Sequence, residues 1–304
     1  MSNPVKLNLE LTLGTNIYLC DGWQKCSEDI QKRLLRTNQS IRPDHIYREC
    51  LAMLQLDEIV SAEELNVATE LNSVYTEIYL HGLDINSKEG LDKLLHDLGE
   101  CAVDSSALCH SKYAGVLPKW DIDSALEGMF AFDKSDFDPL VKGVLVAWFY
   151  IMLRHLTGVN ECVGRLLMFN SWRHNNLGRL LQLPISKMLL QTQGRYYRNT
   201  DLSHKLHVFN EGPGVDCTPF VGYMLSCINS ALDSKIALDY DMTLVESKFY
   251  TTLRKGVFDL SVSVDRVMQQ LKVPKETAND LISNFVSYGF LNELSSDSFE
   301  PALL

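Results

Sequence analysis

The sequence predicts a mainly α protein with a short β element near its start and a small helix-turn-helix unit with a wing strand at its end. Three observations carry this. Between Leu140 and Leu153 the only charge is Lys142, and a helix apolar nearly all round is a buried helix of a sizeable core. Helical spacing of apolar residues recurs along most of the chain, as in Leu91, Leu94, Leu95 and Leu98. The last sixty or so residues read as three short helices, a Pro274 break and then the strand-like Phe290-Leu291-Asn292-Glu293-Leu294. An apolar content of 46% over 304 residues is enough to fill such a core.

In chain order, Val5 to Leu11 alternates apolar and polar and reads as a strand that pairs within the fold. Gln24–Arg36 is an amphipathic helix. Pro43–Val60 and Ser61–Leu80 are two more, the second opened by a capping box at Ser61-Ala62-Glu63-Glu64. Helices follow at Ser87–Gly99 and Ser124–Phe132. The central run of about 14 residues is too short for a membrane span, which needs about 20, and too long for most buried strands. A polar break at Arg154-His155-Leu156-Thr157-Gly158 leads into a second apolar helix containing Val163, Leu166, Leu167, Met168 and Phe169. Thr218-Pro219 opens a later helix as an N-cap followed by proline in the first turn. The chain divides into a helical region over 1–100, a core over 101–243 and a C-terminal unit over 244–304.

A net charge of −11 disfavours a phosphate backbone as partner. The helix at Lys275–Tyr288, where a recognition helix would lie, begins balanced in charge, which argues against DNA. Eight cysteines form no CxxC pair and no Cys/His spacing fits zinc. With no basic, apolar leader at residues 1–20, the expectation is a cytoplasmic protein with reduced thiols, off the membrane. Its expected partners are another protein or a second copy of itself.

The break at 154–158 sits before a helix N-terminus, where free backbone N–H groups suit an anion; a plain helical hairpin that binds nothing is the alternative. Here the residues resemble the signature of the Fic (Fido) family, whose members transfer AMP from ATP to protein hydroxyls. Pro139-Leu140-Val141-Lys142 is similar to the family's lead-in, and Gly164-Arg165-Leu166-Leu167 to the signature's end. Between these anchors Arg154 falls on the catalytic His, His155 on the Pro and Leu156 on the Phe. Val159-Asn160-Glu161-Cys162 falls on Gly-Asn-Gly-Arg. Asn160, Gly164 and Arg165 keep the family residue.

The resemblance implies a Fic helical bundle with a winged-helix tail, and a nucleotide site, ATP or another nucleotide with Mg, on Asn160, Gly164 and Arg165. It places Tyr197 on the adenine pocket; a core or interfacial tyrosine is the alternative. It puts a target-binding flap at residues 103–120, shortened here. It also sets Met53 where many relatives carry a glutamate brake against the last signature arginine, so the brake is expected to be lost. In place of the base stands Arg154, whose guanidinium stays protonated. Val159 and Glu161 put side chains where glycines admit phosphates, and Cys162 supplies no bidentate partner. His155, as a base in a slipped register, and Cys162, as a thiol nucleophile, are the remaining routes to chemistry. Two functions follow: a binding or regulatory module that does not AMPylate, or a transferase diverted to another phosphate-containing ligand.

Overall fold

The computed structural model describes the chain except residues 1–3, 13–14, 39–43, 57–63, 86, 103–121, 154–159, 210–211, 259–260, 296 and 303–304, and at some further positions, Asn160 among them, the backbone alone. The chain divides into two units, residues 1–31 with 39–231, and residues 32–38 with 232–304.

In the first unit the alternating stretch is β1 (Pro4–Thr12), which pairs antiparallel with β2 (Thr15–Cys20). Two later strands, β3 (Leu206–Phe209) and β4 (Gly212–Asp216), complete a sheet of order β1-β2-β4-β3, with β2 and β4 parallel. The expected β element is thus one strand of four. Strand β2 does not alternate, because Ile17, Tyr18 and Leu19 are all buried. Gly214 lets the β4 backbone meet the Tyr18 ring, which a Cβ there would approach to 2.4 Å.

The helices are α1 (Trp23–Leu34), α2 (His45–Leu56), α3 (Glu64–Leu80), α4 (Lys88–Ala102), α5 (Ile122–Asp133), α6 (Pro139–Leu153), α7 (Asn160–His174), α8 (Ile185–Gln191), α9 (Gln193–Leu202) and α10 (Thr218–Asp239). A 3-10 turn at Gly178–Gln182 precedes α8. The capping box expected at Ser61 lies outside the described residues. At α10 the Thr218 hydroxyl accepts from the Cys20 N–H at 2.8 Å, and Asp216 Oδ1 accepts from the Thr218 N–H at 2.9 Å. Thr218 therefore ties the helix start to the sheet. None of the described helices is long and apolar enough to cross a membrane.

The apolar run is α6, buried from Leu140 to Met152. Asp138 caps it, accepting from the Val141 N–H at 2.9 Å and from Ser27 and Gln31 of α1. Helix α7 lies on α6 closely enough that glycine is required at both ends. A Cβ on Gly143 would stand 2.4 Å from Trp172 Nε1, and one on Gly164 would stand 2.9 Å from Ile151 Cγ1 and 3.1 Å from the Ala147 carbonyl oxygen. Trp172 Nε1 donates to the Leu140 carbonyl at 2.9 Å. Lys142, the one charge in the run, is buried and donates to the Ser135 carbonyl at 3.0 Å and Asn175 Oδ1 at 2.8 Å.

The polar stretch Trp172–Asn176 at the end of α7 has a structural job. Arg173 Nη2 donates to the Leu80 carbonyl at 2.8 Å, and the His174 ring bonds the Leu83 carbonyl at 3.0 Å. Asn170, one turn earlier, takes the Leu83 N–H at 2.8 Å and donates to its carbonyl at 3.0 Å. Arg173 thus serves the last carbonyl of α3, and Asn170 and His174 hold Leu83 in the turn that follows it.

The second unit contains α11 (Leu244–Arg254), α12 (Val264–Leu271), α13 (Lys275–Ser287) and an antiparallel hairpin of β5 (Leu291–Ser295) and β6 (Ser298–Pro301). A capping box at Thr243 and Glu246 starts α11. Lys272 in the left-handed region ends α12, and Pro274 caps α13. Phe249, Phe258, Phe285 and Phe290 form an aromatic core. The last turns of α1 and α10 belong to this unit. Arg33, fully buried, pairs with Asp233 at 2.7 Å, and Arg254 pairs with the same carboxylate at 3.0 Å.

Two glycine substitutions should separate close approach from mere flexibility. Gly143→Ala is expected to destabilise the chain by about 1–3 kcal/mol, the cost of overpacking. Gly222→Ala, in α10 with nothing within 4 Å of its Cβ position, should stabilise it by up to about 1 kcal/mol. Urea unfolding of the two variants beside wild type checks both signs.

Candidate functional site

The start of α7 carries the end of the family-like signature, so the site is built from α7 and what packs against it. Arg154 and His155 lie outside the described residues, as does the expected flap. Of Asn160 the backbone opens α7. Gly164 is buried against α6, where its lack of a Cβ admits Ile151 and the Ala147 carbonyl.

Arg165 is 1% exposed. Its Nη2 donates to the Met53 carbonyl at 3.1 Å. Met53 lies in the last turn of α2, whose carbonyls lack partners within the helix and carry the negative end of its dipole. The position expected to have lost a glutamate brake still engages the arginine, through a main-chain oxygen. One turn earlier on α2, Glu49 is 1% exposed, and its charge acts on Arg165. Glu49 Oε2 accepts from the Ser186 N–H at 2.7 Å and also takes the Lys187 N–H. A carboxylate from α2 thus caps the first turn of α8.

Burial pushes Glu49 up to about 7, against the Ser186 and Lys187 N–H groups and Arg165, which pull it down. Around this pair the core is tight. The Tyr75 hydroxyl donates to the Leu181 carbonyl at 2.9 Å, and burial raises its pKa. Cys162 is buried, and it raises the neighbouring Cys50 thiol, whose main perturbation is again burial.

Tyr197 stands at the far end of α2. Its hydroxyl donates to the Leu56 carbonyl and accepts from Gln193 Nε2 at 3.1 Å. Arg165 and Tyr197 therefore both hold carbonyls of the last turn of α2. Glu49 was the residue that motif reasoning passed over. Its signal is in the sequence: an acid on the same helical face as Met53, at the head of the apolar run Cys50-Leu51-Ala52-Met53-Leu54. His96 is exposed on α4. Among the described residues no group of three His, Cys, Asp or Glu could hold a metal ion. The arrangement is a buried arginine and acid that lock three helices together.

No family model matches the sequence, and no curated protein matches it. Among solved structures, the chain is similar to a Fic family protein from Desulfovibrio desulfuricans G20. The TM-score is 0.57 over 91% of this chain and 94% of that one, at 15% identity. The likeness shows the fold: the chain has a Fic fold.

Removing the ionisable group of Glu49 should expose its contribution. Glu49 keeps its proton longer in the folded chain than in the unfolded one, where it titrates near its usual 4.5. It therefore favours the folded state below that pH, and the advantage is lost as pH rises to about 7. Glu49→Gln keeps an acceptor for Ser186 and does not ionise. The melting temperature of wild type minus that of Glu49→Gln should fall between about pH 5 and about pH 8. A difference that stays flat across that range would contradict the assignment.

Proposed function

We propose that this Fic-fold chain is a binding or regulatory module that does not transfer AMP. The observation that carries the proposal is the state of Arg165. The residue that stands where the family's last signature arginine would meet phosphate is buried and bonded to the Met53 carbonyl, with the Glu49 carboxyl nearby. Freeing it for a nucleotide would break its bond to the carbonyl of the buried Met53, at a cost of about 1–3 kcal/mol. The sequence supports the same reading: Arg154 stands at the base position, Cys162 at the first arginine, and Val159 and Glu161 at the glycines.

The partner in this reading is a protein or a second copy of the chain, in the cytoplasm. The C-terminal unit, with its three helices and hairpin, serves as a winged-helix packing element rather than a DNA reader. The exposed start of α13 sets Lys275 against Glu276 and Asp280, and a DNA-reading helix needs a basic surplus.

Titration calorimetry with ATP, with and without magnesium, should give no heat of binding. Incubation with α-labelled ATP should leave this chain and added proteins unlabelled. Sustained labelling that is abolished by His155→Ala would overturn the proposal. Micromolar nucleotide binding without transfer, weakened by Arg154→Ala, would instead favour a pocket diverted to another phosphate-containing ligand.

A further inference from the structure

Away from the signature, the first unit has a cavity of about 240 Å3 where β2 ends and α1 and α10 begin. Leu19, Trp23, Val221 and Leu225 form its apolar walls, and Cys20 and Cys26 add two half-buried sulfurs outside any disulfide. Gly222 forms part of the rim, and nothing stands within 4 Å of its Cβ position.

Several polar groups along the cavity are already engaged. Thr218 Oγ1 takes the Cys20 N–H at 2.8 Å, Cys26 Sγ takes the Asn229 side-chain amide at 3.3 Å, and the Gly22 N–H donates to Gln24 Oε1 at 2.9 Å. A ligand that needs hydrogen bonds would lose its own water and recover little here. Asp21 is exposed at the mouth and disfavours an anion. What the walls do offer is an indole ring and two polarisable sulfurs, both of which favour an aromatic partner. The size fits: an apolar cavity of about 150 Å3 already admits benzene.

We propose that this cavity is a binding site for one small uncharged aromatic ring. The site is independent of the signature, so it stands or falls separately from the absence of AMP transfer.

Fluorine NMR of para-fluorotoluene titrated into the full chain tests it. The expected result is saturable binding at on the order of 1 mM or tighter, within reach of a ligand of about eight non-hydrogen atoms. Gly222→Leu, which projects a side chain into the open rim, should weaken binding at least about tenfold without lowering the melting temperature. Trp23→Ala should weaken it as well, by removing the stacking wall. The charged isostere para-fluorobenzoate should bind at least about tenfold more weakly than para-fluorotoluene. Absence of saturation, binding indifferent to both substitutions, or equal binding of the benzoate would each overturn the proposal.

Discussion

The backbones of α6 and α7 approach so closely that two positions admit no side chain at all, and much of the first unit follows from that contact. Gly143 yields its space to the Trp172 ring, and Gly164 yields its own to Ile151 and the Ala147 carbonyl. With the pair fixed in this way, the rotation of α7 about its axis is set. Arg165 then faces the end of α2, and Asn170, Arg173 and His174 face the end of α3. A helix that could slide or roll would scatter these bonds, because protein interiors are packed as densely as organic crystals and permit few intermediate positions.

Around that pair several polar contacts follow one electrostatic rule. Cations and donors meet helix C-termini, and a carboxylate meets a helix N-terminus. Arg165 and Tyr197 serve the last turn of α2, Arg173 serves the last carbonyl of α3, and Glu49 serves the first turn of α8. Arg165 is thus one member of a set of helix-end contacts. The same chemistry that would suit phosphate, a cation with fixed donors, here suits the carbonyls of a neighbouring helix.

Most of the helices were legible in the sequence, because 3.6-residue spacing of apolar residues reports burial directly. The sheet was less so. Ile17, Tyr18 and Leu19 are buried in succession and do not alternate, and β4, written Gly-Pro-Gly-Val-Asp, resembles a turn. At the site, Gly164 and Arg165 could be picked out by motif, but the partner of Arg165 could not. A backbone carbonyl has no letter of its own, so the residue at position 53 being methionine concealed the contact. Thr218 illustrates a further limit: its place before a proline marked a helix start, yet its hydroxyl bonds Cys20, 198 residues away. Local grammar identifies where an element begins and is silent on which distant group a side chain serves.

The second unit takes residues 32–38 from near the start of the chain, and the buried Arg33 meets Asp233 across 200 residues. Contacts of such sequence separation demand loop closure before they return any energy, and they slow folding accordingly. During synthesis the short segment would leave the ribosome long before its partners on α10 and α11 exist. The C-terminal helices are therefore not a cassette that could be cut at residue 244 and moved to another protein intact.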